Sequence, residues 1–230
     1  MKEYFNKHET LVTILLIVIY IISNSYCMQN FGSTDYRTTI VNFILVLGII
    51  LLIITSKRQE ELGLTKFPTP KKFLYFIPLL AIVSVNLWNG VNINNTAQEI
   101  IFYILSMICV GFLEEIIFRG FLFKMMEKDN VNRAIIVSSL TFGIGHIINL
   151  LNGSDLIPTL IQVCYAIAGG YLFVIIFQKS KSLWPCIITH CAINSLSIFS
   201  IDNIISLYIA PIFLIIISLS YATYIVKGKI

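Results

Sequence analysis

The sequence reads IFYILSMICVGFLEEIIFRGFLF from residue 101 to residue 123, an apolar run long enough to cross a bilayer as a helix. Three charged side chains interrupt this run: Glu114, Glu115 and Arg119. A charged side chain near the bilayer centre costs about 2.5–3.5 kcal/mol on insertion scales. Because intramembrane charges usually serve a function, this cluster is the first candidate for a functional site.

The composition indicates an integral membrane protein. Of the 230 residues, 57% are hydrophobic and 12% are charged, and the mean hydropathy is +0.86. A soluble domain carries about 25% charged residues. The net charge of +4 follows from membrane topology, so no nucleic-acid partner is expected. The five cysteines are scattered and form no CxxC pair, which favours lone thiols over disulfides or a thiolate metal site. They are Cys27, Cys109, Cys164, Cys186 and Cys191.

Eight apolar segments predict the fold class, an all-α polytopic membrane bundle of about eight transmembrane helices. The segments are too long and too uniformly apolar to be strands of a membrane barrel. The predicted spans are residues 9–28, 38–56, 72–90, 97–123, 132–150, 157–178, 183–200 and 203–226. The first segment resembles a signal peptide, but further spans follow it, so we expect it to remain as an uncleaved helix.

The basic residues predict the orientation of the bundle. With both termini in the cytoplasm, the inner segments hold 14 of the 16 Lys and Arg residues, in agreement with the positive-inside rule. The outer segments hold Arg37, and Arg119 lies within a span. The inner residues are Lys2, Lys7, Lys57, Arg58, Lys66, Lys71, Lys72, Lys124, Lys128, Arg133, Lys179, Lys181, Lys227 and Lys229.

Helix geometry points the two carboxylates of the fourth span in different directions. Glu115 and Arg119 are four residues apart and share a face, with the acid N-terminal to the base, which is the favoured order for an ion pair. Glu114 points about 100° away from Glu115, so we expect it to be free for chemistry. The alternative is that all three residues form a structural ion network.

Two later spans also carry polar side chains. Phe142 and His146 share a helix face, and Gly143 and Gly145 beside them would let a neighbouring helix approach closely. The seventh span pairs His190 with Asn194 in the same way. Hydrogen bonding between helices would also explain each of these polar groups.

Together, two carboxylates, two imidazoles and an amide can support hydrolysis by water. Glu and His can take a proton from water, and a second His with an amide can stabilise an oxyanion. The same side chains could bind a divalent metal, although the HExxH motif of zincins is absent. They could also line the ion path of a transporter.

The chain resembles a known family at three motifs. Residues 114–119, EEIIFR, fit EExxxR; residues 142–146, FGIGH, fit FxxxH; and residues 190–194, HCAIN, fit HxxxN. These motifs, in this order, are typical of the CPBP family of CAAX proteases and bacteriocin-processing enzymes, also called Abi. The resemblance covers about residues 97–200.

The resemblance implies an intramembrane endopeptidase, like the CAAX prenyl proteases, that cleaves a membrane-associated peptide or protein. Glu114 would match the catalytic glutamate and would activate water together with His146. His190 and Asn194 would match the oxyanion-stabilising pair. Glu115 and Arg119, with Phe142, would match the supporting residues.

The resemblance leaves the cofactor open between a metalloprotease and a metal-free glutamate protease. A divalent metal such as zinc would be held by Glu114, His146 and His190. The expected partners are membrane lipids and the peptide substrate. The expected location is a bacterial plasma membrane, crossed many times, with the active site open to the cytoplasm.

The resemblance divides the chain into N-terminal helices at 1–96, a catalytic core at 97–200 and a last helix at 201–230. The alternatives to a peptidase are a non-catalytic scaffold or bacteriocin-immunity protein, and a transporter.

Overall fold

The computed structural model of the chain describes residue 5, residues 7–67 and residues 76–228. The regular structure of these residues is entirely helical, which confirms the predicted fold class. The helices are α1 Glu9–Asn30, α2 Tyr36–Ser56, α3 Ile77–Ser84, α4 Ala97–Glu127, α5 Val131–Gly145, α6 Leu156–Ser180, α7 Trp184–Leu196 and α8 Ile205–Val226. Turns of 3-10 helix extend α3 to Leu87, α5 to Leu150 and α7 to Phe199.

Six of these helices are long and apolar enough to span a bilayer, namely α1, α2, α4, α5 with its extension, α6 and α8. Two segments are shorter than the predicted spans, Ile77–Leu87 and Trp184–Phe199. The first four residues of the predicted span 72–90 lie outside the described residues. A helix enclosed by protein can end within the membrane because neighbours satisfy its backbone. Here the carbonyl of Phe199 accepts a bond from the backbone of Asn92.

The outer surface of the bundle is apolar, as lipid contact requires. On α2, large side chains that are 46–62% exposed face outward, whereas Asn42 is buried and donates to the Ser106 hydroxyl on α4. The polar contact therefore lies between helices, where it can be satisfied away from lipid. The exposed side chains include Phe43, Ile44, Leu47, Leu51 and Ile54.

A partly buried ion network joins three helix ends at one end of the bundle. Arg58 lies 2.7 Å from Glu9 and 2.6 Å from Glu61, and Lys128 lies 2.6 Å from Glu9. The start of α1 therefore meets the ends of α2 and α4. Desolvation would raise the pKa of the Glu61 carboxyl, but the Arg58 guanidinium and nearby lysines outweigh it and lower that pKa.

Ten of the residues that predicted the cytoplasmic side are described, and they lie on this same side, called here the basic end, at or next to helix ends or, for Lys66, in the loop after α2. They are Lys7, Lys57, Arg58, Lys66, Lys124, Lys128, Arg133, Lys179, Lys181 and Lys227. The other four, Lys2, Lys71, Lys72 and Lys229, lie outside the described residues. Arg37 lies at the opposite end of the bundle, near the start of α2. That the basic end faces the cytoplasm stays a prediction.

Close helix contacts depend on one of the two glycines singled out on α5. A Cβ at Gly143 would come within 2.7 Å of the backbone nitrogen of Ile167, so α5 and α6 pack closely there, as predicted. At Gly145 nothing lies within 4 Å, so the prediction was wrong for that residue. Two residues span about 200° of helix, which places the two glycines on nearly opposite faces.

All five cysteines are free thiols, as predicted.

Candidate active site

The paired carboxylates lie where α4 changes from α-helix to π-helix. The π-helical segment covers Glu115–Phe123, and all nine of its residues are buried. Such segments are rare and often occur at functional sites. The Ser138 hydroxyl of α5 donates 2.8 Å to the carbonyl of Phe118, so a neighbouring helix supports the altered backbone.

The predicted ion pair forms in the interior. Arg119 Nη1 lies 3.0 Å from Glu115 Oε1, and both side chains are completely buried. The guanidinium carbon lies 4.0 Å from the centre of the Phe142 ring, a cation–π contact. Gly170 makes room for this group, because a Cβ there would lie 3.2 Å from Arg119 Nη2.

His190 joins the two carboxylates. Its Nδ1 lies 2.7 Å from Glu115 Oε1, and its Nε2 lies 3.3 Å from Glu114 Oε2. An ionised carboxylate paired with arginine can only accept, so we assign the proton on Nδ1 as donated to Glu115. Nε2 is then the nitrogen that faces Glu114.

The contact between α4 and α7 depends on Gly111. A Cβ at Gly111 would lie 2.8 Å from the backbone nitrogen of Cys191, so a larger residue would separate the helices. Because Gly111 precedes Glu114 by three residues and Cys191 follows His190, this crossing brings the imidazole to the carboxylates. The signal of this contact in the sequence is a glycine one turn before the carboxylates.

Glu114 is hydrogen-bonded, which helix geometry alone did not predict, and its role in the chemistry stays a prediction. The Tyr20 hydroxyl donates a 2.6 Å hydrogen bond to Glu114 Oε1, and Tyr20 is buried. The side chain of Glu114 keeps 12% exposure. Glu114 therefore has partners on both oxygens but still reaches a cavity. Sequence reasoning missed Tyr20, which lies 94 residues away in the chain and belongs to no motif.

The remaining motif residues line the same cavity, which has a volume of about 400 Å³. His146 begins the 3-10 turn after α5, with Nδ1 3.1 Å from the Phe142 carbonyl. The Phe142 ring lies against both imidazoles, with centroid distances of 5.1 Å to His146 and 5.6 Å to His190. Asn194 also lines the cavity, and its amide has no hydrogen bond to any described residue. The structure thus brings Glu114, His146, His190 and Asn194 around one space.

The residues do not fit the suggested metal site in this arrangement. Within the described ranges, no three His, Cys, Asp or Glu side chains are grouped so that they could share a metal ion. Glu114 and His190 are adjacent, whereas the hydrogen bond of His146 among the described residues goes to the Phe142 carbonyl and not to either of them. Both nitrogens of His190 already face carboxylates. The identity of any cofactor stays a prediction.

The cavity extends from Glu114 away from the basic end. Its lining includes Asn24 near the end of α1, Asn149 after α5 and Ser197 after α7. These positions lie toward the end of the bundle where Asn152 accepts from the side chain of Ser25. The described lining therefore lies between Glu114 and the end of the bundle opposite the basic end, and the side from which the site opens stays a prediction.

Comparisons with known proteins agree with the motifs. Residues 96–196 match the model of the family described as type II CAAX prenyl endopeptidase Rce1-like. A relative from Bacillus subtilis (strain 168), named "Putative membrane peptidase YdiL", is 34% identical over 93 residues. The alignment covers 40% of this chain, and it spans about a third of the relative's length, 34%. These matches support the family that the three motifs indicate, over the segment of the chain that holds them.

Proposed function

We propose that the protein is an intramembrane peptidase of the CPBP family, because residues 96–196 match the model of the Rce1-like group. It hydrolyses a peptide bond in a membrane-associated peptide or protein within a cell membrane that it crosses several times. The observation that carries this proposal is the convergence of four polar side chains on one cavity. They come from three helices, and each of them is costly to insert in lipid.

In this proposal Glu114 is the general base that takes a proton from the attacking water. Its carboxylate reaches the cavity, and the cavity is large enough to hold water. His190 Nε2, 3.3 Å from Glu114 Oε2, can receive that proton and pass it to the leaving amine. His146 lines the same cavity and would help to orient the water.

The oxyanion would be stabilised by Asn194, together with Nε2 of His190 when that nitrogen is protonated. The amide of Asn194 faces the cavity and has no hydrogen-bond partner in the part of the chain that the structure describes, so its N–H groups are available to a developing negative charge. Glu115 holds His190 in one orientation through the 2.7 Å bond to Nδ1, and Arg119 holds Glu115. These two residues act through His190 and are positioning residues.

The cavity suits an uncharged peptide segment. Apart from the motif residues, its described lining consists of apolar side chains and neutral amides and hydroxyls, among them Asn86, Gln162 and Tyr165. Amides and hydroxyls can hydrogen-bond to a peptide backbone, and the apolar walls exclude most water.

The direct test is comparison of peptides released from membranes that contain the wild-type protein or Glu114→Gln. We expect the substitution to reduce processing by at least about 100-fold, since a general base typically contributes that much. Glu60→Gln is the matched control, because Glu60 is 82% exposed and lies outside the cavity. If Glu114→Gln processes as the wild type does, the protein is not a peptidase of this kind, and a scaffold or immunity role is favoured.

A further inference from the structure

The cavity has an open end and a closed end. Along α4 it extends from Glu114 to Tyr103, eleven residues or about 16 Å of helix toward the end of the bundle opposite the basic end. Met28 and Ser33, near the end of α1, line it at that end and are partly exposed. The cavity therefore reaches the surface there.

Toward the basic end, a layer of packed side chains closes the bundle below Glu114. The π-helical segment supplies Phe121, which has no exposed surface, and Leu62 from the loop after α2 packs into the same cluster. Leu183 and Cys186, at the start of α7, are also fully buried. Native packing leaves few voids larger than a water molecule, so this layer blocks a peptide from that side.

Resting on the proposed function, we infer that the substrate reaches Glu114 from the face opposite the basic end. Under the positive-inside rule this is the extracytoplasmic face. The substrate is then an uncharged peptide segment of a secreted or membrane-anchored protein that is presented outside the cytoplasm. The inference follows from the shape of the cavity and the distribution of the lysines, neither of which belongs to the three motifs.

Reporter cysteines test this inference without any need for turnover. Met107→Cys places a thiol in the cavity wall, Ser154→Cys marks the exposed surface at the open end, and Lys66→Cys marks the basic end, where Lys66 is 68% exposed. A charged, membrane-impermeant thiol reagent is added to right-side-out and to inside-out vesicles. Peptide mass spectrometry locates the adducts, so the native cysteines can stay in place.

In right-side-out vesicles we expect Met107→Cys and Ser154→Cys to react roughly tenfold or more faster than Lys66→Cys, because a charged reagent crosses lipid poorly. In inside-out vesicles the order should reverse. The inference would be overturned if Met107→Cys reacted from the same side of the membrane as Lys66→Cys. It would also be overturned if Met107→Cys were protected from the reagent in both kinds of vesicle. Reaction of Met107→Cys and Ser154→Cys in inside-out vesicles alone would overturn the extracytoplasmic assignment.

The same labelling of a Met107→Cys, Glu114→Gln double variant separates this inference from the proposed function. We expect the modification pattern to be unchanged, because the route does not depend on the base. If the labelling pattern holds while Glu114→Gln leaves processing intact, only the peptidase proposal fails. If the labelling pattern reverses while Glu114→Gln abolishes processing, only the inferred access route is refuted.

Discussion

Replacement of Arg119 by methionine should destabilise the protein severely. Arg119 and Glu115 have no exposed surface, and the substitution leaves a buried carboxylate with His190 as its remaining partner. Removing one member of a buried pair costs about 3–5 kcal/mol. Loss of the cation–π contact with Phe142 acts in the same direction, by about 0.5–2 kcal/mol, and the methionine side chain recovers part of the packing.

This free-energy loss corresponds to a fall in unfolding temperature of about 6–20 °C for a chain of this size. The measurement is thermal unfolding in detergent, followed with a dye that becomes fluorescent on reaction with thiols. Three native cysteines are buried and react on unfolding, so no label has to be introduced. They are Cys27, Cys109 and Cys186.

A double-mutant cycle identifies the cause of the loss. Glu115→Gln removes the charge that Arg119→Met leaves unpaired, so the double variant should be more stable than the sum of the single losses predicts, by at least about 1 kcal/mol. Arg133→Met is the matched control, because Arg133 is exposed, and it should stay within about 0.5 kcal/mol of the wild type. A loss below about 1 kcal/mol for Arg119→Met, or strict additivity with Glu115→Gln, would refute the reasoning.

Three further predictions concern other parts of the molecule. Tyr20→Phe removes the hydroxyl that donates to Glu114, and kcat should fall about 10-fold with KM nearly unchanged. A rise in KM as large as the fall in kcat would contradict a positioning role for Tyr20. Gly143→Ala should lower the unfolding free energy by about 1–3 kcal/mol through forced separation of α5 and α6, whereas Gly145→Ala, with open space around it, should not destabilise the protein. A hydrogen bond from the Arg37 side chain lowers the pKa of Asp35 to about 2. The stability difference between the wild type and Asp35→Asn should therefore persist above pH 4 and disappear as the pH falls through about 2. A difference that is still complete at pH 2 would contradict this assignment.

The predictions from the sequence succeeded where the determining interaction is local. Helix periodicity placed Glu115 and Arg119 on one face, and the 3.0 Å pair is the result. The apolar segments identified every long helix among the described residues, because the length of a span is set by the thickness of lipid. The short helices α3 and α7 departed from the prediction because they can end against neighbouring protein within the membrane.

The predictions failed where the partner lies on another helix. Helix geometry separated Glu114 from Glu115 but could not show that Tyr20, on the first helix, would donate to it. Nor could it show that His190 would lie between the two carboxylates, because the close approach at Gly111 sets that contact.

By itself, the sequence determined a helical membrane protein, its basic end and the three motifs that carry its polar residues. These properties depend on hydropathy, charge and spacing along one helix, all of which are local. Only the tertiary structure decided that the motif residues surround one cavity and that this cavity extends away from the basic end. Both depend on which helices pack together and how closely, and packing is set by side chains far apart in the chain.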